Sequence, residues 1–139
     1  MYDNLLNYMK ALENLSINLL FDRTFFTEEI YCRLGFKDYS FTDVYERLVE
    51  ELSKMDFKIF YFTLYLKDEG QFEKRLARAG KAVPKYAKFK AESSINQQRE
   101  YLKMAEEIKQ KYPNINVVNI QNDKDFEEVK KELIDILGE

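Results

Sequence analysis

The sequence predicts an α/β protein in which helices alternate with a few short strands of one parallel sheet. Three observations carry this. Apolar residues recur at helical spacing in several stretches, above all Phe41 to Lys54. Between those stretches lie short apolar runs, Ile17–Phe21, Phe57–Leu66 and Ile115–Ile120, of strand length and composition. Strands separated by helices imply right-handed crossovers and a parallel sheet.

In order, residues 2–14 set Leu5, Leu6, Met9 and Leu12 along one stripe, a helix giving way at Asn14. Ile17–Phe21 comes next as the first strand, and its consecutive Leu19, Leu20 and Phe21 call for cover on both faces. Thr24 or Thr27 can cap the next helix, where Glu28 and Glu29 complement the positive end of the dipole, and Gly35 stops it. In 41–54 the residues Phe41, Val44, Tyr45, Leu48, Val49 and Leu52 share one face. Phe57–Leu66, rich in aromatic and β-branched residues, is the second strand. Phe72 and Leu76 mark a short helix that opens a basic stretch from Lys74 to Lys90. Helical spacing resumes over 91–111 and ends before Pro113. Ile115–Ile120 is the third strand, Asn122 or Asp123 caps the last helix, and Phe126, Val129, Leu133, Ile136 and Leu137 form its apolar stripe. The expected order is α-β-α-α-β-α-α-β-α, a three-layer sandwich with a short parallel sheet in a single domain, 1–139.

Composition narrows the chemistry. The chain has 139 residues, 45% of them hydrophobic and 34% charged, enough to build a core without staples. Cys32 is the single cysteine and there is no histidine, so an intramolecular disulfide, a multi-cysteine zinc site and imidazole catalysis are ruled out. Cys32 itself reads as a packing residue. The amino terminus lacks the basic opening and apolar stretch of a signal peptide, and no window reaches a membrane span, so a soluble cytoplasmic protein is expected. A net charge of −3 argues against broad nucleic-acid binding.

The pair Asp22-Arg23 is the most informative feature. A carboxylate and a guanidinium at the carboxyl end of a covered strand stand where open α/β sheets place their ligands. Asp22 could order a magnesium-bound water or accept a hydroxyl proton, and Arg23 could hold a phosphate or the attacking oxygen. The plainer reading is a charged turn between strand and helix. Arg75 and Arg78, three apart on one helix side, could converge on the oxygens of a transferring phosphoryl group, with Lys81 extending their reach, or could belong to a solvated basic face. Tyr31 reads most simply as a packing residue with a polar tip. A phosphate loop needs glycines, a lysine and a hydroxyl in fixed spacing. Of Gly35, Gly70, Gly80 and Gly138 only Gly80 precedes a lysine, and there Arg75 and Ala82 break the pattern.

Taken together, Leu19-Leu20-Phe21-Asp22-Arg23, then Thr27-Glu28-Glu29-Ile30-Tyr31, then Phe60–Leu66, then Phe72 to Lys81 resembles the later part of deoxynucleoside and thymidylate kinases, phage-type versions included, over nearly the whole chain. The resemblance implies a truncated P-loop kinase fold and transfer of the ATP γ-phosphoryl group to a deoxynucleoside or nucleoside monophosphate. It implies that Asp22 is the catalytic or magnesium-linked carboxylate and that Arg23 contacts substrate oxygens. It makes Arg75 and Arg78 lid arginines in a lid spanning about 72–90, and sets Glu28, Tyr31 and Lys81 on the substrate side. The family's first strand, its phosphate loop, the helix after it and the next strand are expected ahead of Met1. In that family's sheet the first strand lies in the middle, so a chain without it has a gap between its own first and second strands. ATP and Mg2+ would then need an amino-terminal kinase fragment as partner. The alternatives are a kinase-derived binding module that buries its open edges in a homodimer or a protein partner, and an unrelated small α/β domain whose charged motifs are coincidental.

Overall fold

In the computed structural model the residues described are 2–15, 17–78 and 84–138, with 76–78 and 84–90 described by backbone alone. Among them the chain is a mixed α/β fold of six helices and a two-stranded parallel sheet. The helices are α1 (Tyr2–Ala11), α2 (Phe25–Arg33), α3 (Thr42–Ser53), α4 (Gln71–Arg78), α5 (Pro84–Lys111) and α6 (Phe126–Leu137), and the strands are β1 (Ile59–Tyr65) and β2 (Ile115–Gln121). None of these helices is long and apolar enough to cross a membrane.

Two of the three expected strands form. At one end of the sheet the Asn116 side chain donates to the Ile59 carbonyl, 2.9 Å, across a separation of 57 residues. At the other end the Asn122 N–H donates to the Tyr65 carbonyl, 2.7 Å, with the same separation. A constant offset is what a parallel pair without a bulge requires.

The expected first strand is a correction. Ile17–Phe21 is irregular chain outside the sheet, with the Ile17 N–H turned back on the Leu15 carbonyl at 2.9 Å. Leu20 is 96% exposed, and Ile17 and Phe21 are exposed as well. An apolar run reports that a segment gains from cover; it becomes a strand only where a neighbour supplies backbone partners.

The remaining elements agree with the sequence in kind and differ at their ends. Thr24 holds the N-cap position of α2 but makes no side-chain cap bond, and Gly35, at φ +79°, takes the left-handed turn after the helix that glycine accepts at little cost. Helix α5 begins at Pro84 rather than near 91, a position where proline's fixed φ suits the first turn. The N-cap position of α6 falls at Asp125, which makes no side-chain cap bond, not at Asn122 or Asp123; the Asn122 N–H donates to the Tyr65 carbonyl and the Asp123 carboxylate accepts the Asp68 N–H. Of the stripe expected on α6 only Val129 is buried, and Phe126 is 73% exposed.

The described chain divides into two compact units. The first, residues 1–60 with 108–116, packs α1 and α2 against α3 around Leu6, Phe25, Ile30, Leu48 and Val49, all essentially inaccessible to solvent. Aromatic edges line this core: Tyr2 meets Phe25 at 6.0 Å and Phe41 at 5.7 Å, and Phe26 meets Tyr45 at 5.9 Å. An exposed fork from Arg47 to Asp3, 2.8 and 3.3 Å, ties α3 to α1. The second unit, 61–107 with 117–139, has Leu66, Met104, Ala105 and Ile120 at its centre, and the Tyr61 hydroxyl reaches the Met104 sulfur at 3.6 Å.

Candidate functional site

In the first unit, Asp22 and Arg23 form the turn that carries the irregular segment into α2, and both are exposed. They therefore end a loop, not a covered strand. Arg23 has φ 62°, the left-handed region, which costs an L-residue on the order of 1 kcal/mol. Together with Gly35 it is one of two positive-φ residues described, and it sets the direction in which α2 leaves the turn. Asp22 accepts no hydrogen bond and joins no ion pair among the described residues, so its carboxylate is open to water.

Helix α2 brings its two glutamates to different ends. Glu28 accepts a hydrogen bond from the Tyr39 hydroxyl, and that bond, followed by desolvation, pushes the Tyr39 pKa up to about 12. Glu29 is 0% exposed, an unusual state for a carboxylate. It is satisfied by Arg33 Nε at 3.2 Å and by the Thr42 hydroxyl at 3.4 Å, while the Arg33 guanidinium lies 5.8 Å from the centre of the Tyr45 ring. Glu29, Arg33, Tyr39 and Thr42, with Cys32, Lys37, Asp38 and Ser40, line a cleft of about 470 Å³. Burial and the neighbouring Glu28 and Glu29 push the Cys32 thiol pKa up, which suits an inert packing cysteine. Tyr31 packs its ring against Phe36, 5.6 Å between centroids, in line with the packing role read from the sequence.

In the second unit, the residues just past the carboxyl ends of β1 and β2 form a hydrogen-bonded cluster. The Asp123 carboxylate accepts the Asp68 N–H at 2.8 Å, and this bond is the main reason its pKa lies below the ordinary carboxylate value. Asp68 in turn accepts from the Gly70 N–H, 3.1 Å, in an Asx turn. Arg99 forks onto Glu69 at 3.0 and 2.8 Å. The Gln98 amide accepts the Leu66 N–H at 2.7 Å and donates to the Leu66 carbonyl at 3.0 Å. Arg75 is exposed and donates to the Asn122 carbonyl at 3.2 Å. Arg78 is described by backbone only, as the last residue of α4, and Lys81 lies outside the described residues, as does the middle of the expected lid, 79–83.

Glu29, Gln98 and Asp123 are the polar residues on which these clusters turn, and the sequence singled out none of them for that work. The spacing Glu29 to Arg33, one helical turn, was the one local signal for the buried pair. Among the described residues no three Cys, Asp or Glu side chains gather as a metal-binding group. The chain matches no family model, no curated protein and no solved structure.

Proposed function

We propose that this chain is the acceptor side of a nucleoside or nucleotide kinase, with the phosphate loop supplied by a partner polypeptide. The observation that carries the reading is Ile17–Phe21: it has the composition of a covered strand, yet it stands outside the sheet with Leu20 96% exposed. In the kinases that the chain resembles, the strand bearing the phosphate loop runs between this segment and the next strand. A chain awaiting that strand leaves this segment uncovered. The parallel pairing of β1 with β2 is compatible with the same scheme.

In this scheme Asp22, open to water, takes the acceptor hydroxyl proton or orders a metal-bound water, and Arg23 holds acceptor oxygens. In the kinases that the chain resembles, lid arginines matching Arg75 and Arg78 offset charge on the transferred group. The same resemblance assigns Glu28, Tyr31 and Lys81 to the acceptor. ATP would supply the phosphoryl group and magnesium the charge that neutralises its oxygens. What the chain itself contributes is position and charge.

The test is to co-express the chain with a polypeptide carrying a strand followed by Gly-x-x-x-x-Gly-Lys-Ser/Thr, and to measure ATP-dependent phosphorylation of deoxynucleosides and their monophosphates. Activity is expected from the pair alone, falling about 100-fold or more in Asp22→Asn. Turnover by the lone chain, or a pair in which Asp22→Asn and Arg23→Ala change nothing, refutes the reading.

The second reading, a kinase-derived interaction module, is favoured by the exposed Phe126, Ile134 and Leu137 on α6. Stable self-association in light scattering that ignores Arg23→Ala, with no turnover in the pair, would select it.

A further inference from the structure

Two consecutive residues of the turn after β2 hold both ends of the segment that succeeds β1. Asn122 is anchored to the sheet by its N–H on the Tyr65 carbonyl, 2.7 Å, and its own carbonyl accepts Arg75 Nη2 at 3.2 Å. Its neighbour Asp123 accepts the Asp68 N–H at 2.8 Å. Between these two points the chain is braced internally, by the Gln71 N–H on the Asp68 carbonyl at 3.0 Å and the Phe72 N–H on the Glu69 carbonyl at 3.3 Å. The carboxyl ends of strands are where open α/β sheets bind ligands, and Arg75 is an exposed cation located there. The bond from a guanidinium to a neutral carbonyl carries one formal charge; a phosphate-type oxyanion adds the opposite charge and can accept two parallel N–H bonds from the same fork.

We propose that the Asn122–Asp123 turn is a clasp that keeps Arg75 on a backbone carbonyl until a phosphate-type oxyanion draws it away and loosens the head of α4. The oxyanion half of this rests on the reading of Arg75 as a phosphoryl contact; the clasp half rests on the three distances alone. Coupling is reciprocal: if anion binding opens the clasp, weakening the clasp raises affinity for the anion.

The experiment is amide exchange on the full chain, with and without inorganic pyrophosphate, in the wild type and in Asp123→Ala, Asp123→Asn and Arg75→Ala. The Asp68 amide should exchange about tenfold faster or more in Asp123→Ala, and by less in Asp123→Asn, which keeps an acceptor. The Gln71 amide should respond in the same way, while the Asn122 amide stays protected. Pyrophosphate should speed the Gln71 and Phe72 amides of the wild type but not of Arg75→Ala. Unchanged Asp68 and Gln71 amides in both Asp123 variants overturn the proposal. So does a pyrophosphate response that is absent from the wild type or equal in Arg75→Ala. A kinase assay that fails while pyrophosphate still opens the clasp removes the nucleotide reading and supports this one.

Discussion

Arg33→Met should be among the costliest single changes in the first unit, because it strands the Glu29 carboxylate. With Glu29 fully buried and Arg33 Nε 3.2 Å from Oε2, two unit charges at an effective dielectric of 20 attract by about 5 kcal/mol. The Arg33 side chain is 21% exposed, and water screens that part, so a loss of about 3 kcal/mol is the working value, at the lower end for a broken buried pair. Arg33 also lies over Tyr45, a contact contributing about 0.5–1 kcal/mol. A double-mutant cycle separates the two. In a Glu29→Gln background the charge is already gone, and Arg33→Met should cost about 2 kcal/mol less than in the wild type, the difference being the coupling between the pair. The chain has no tryptophan, so unfolding is best followed in urea by far-ultraviolet circular dichroism. With a slope of about 2 kcal/mol per molar, Arg33→Met should move the midpoint down by about 1.5 M. Equal shifts in the wild-type and Glu29→Gln backgrounds would refute the argument, since they would mean that the buried carboxylate does not depend on its cation.

Gln98→Leu removes both partners of the Leu66 backbone, which is 6% exposed, and should cost about 2–4 kcal/mol in the same urea assay, against less than about 0.5 kcal/mol for an exposed change such as Lys103→Gln. Two of the shifted groups, Tyr39 and Asp123, bracket the pH range. Tyr39 has a folded pKa of about 12 against an ordinary 10.0, so its bond to Glu28 contributes fully below pH 10.0 and is lost as pH rises through 12. Tyrosinate absorbance should show that late titration, and Glu28→Gln should return it toward 10.0. Asp123 runs the other way: its lowered pKa means that its bond to Asp68 is complete above the ordinary 3.8 and fails only as pH falls below that value. The Asp68 amide chemical shift, monitored down in pH, checks it.

How much of the molecule is legible in the sequence depends on how local each signal is. Helix α3 is readable because Tyr45, Leu48, Val49 and Leu52 repeat at the helical period and are buried on the face they predict. Strand β1 is readable because its run of aromatic residues suits a pleated surface, and only its ends differ from the expected ones. Ile17–Phe21 misleads because an apolar run of strand length carries no information about whether a neighbour exists. Glu28 and Glu29 look interchangeable as dipole-complementing charges, yet one is buried on Arg33 and the other meets Tyr39, a difference decided by how the chain from Phe36 to Thr42 returns across α2. Asp22-Arg23 is visible as a pair, while the covered strand expected beneath it does not form. The partners of Asp123 and Gln98 lie 55 and 32 residues away, beyond any periodic signal.

The Gln98 amide has a consequence for how β1 could be extended sideways. The Tyr65 carbonyl and the Leu66 N–H belong to one planar peptide and point in opposite directions, and the Tyr65 carbonyl faces β2. The Leu66 groups that Gln98 occupies therefore face the other flank. A side chain here acts as a terminator, ending on that flank the row of backbone groups that a newcomer strand could read. Any strand laid there must stop level with Tyr65, and its register is counted back from that point.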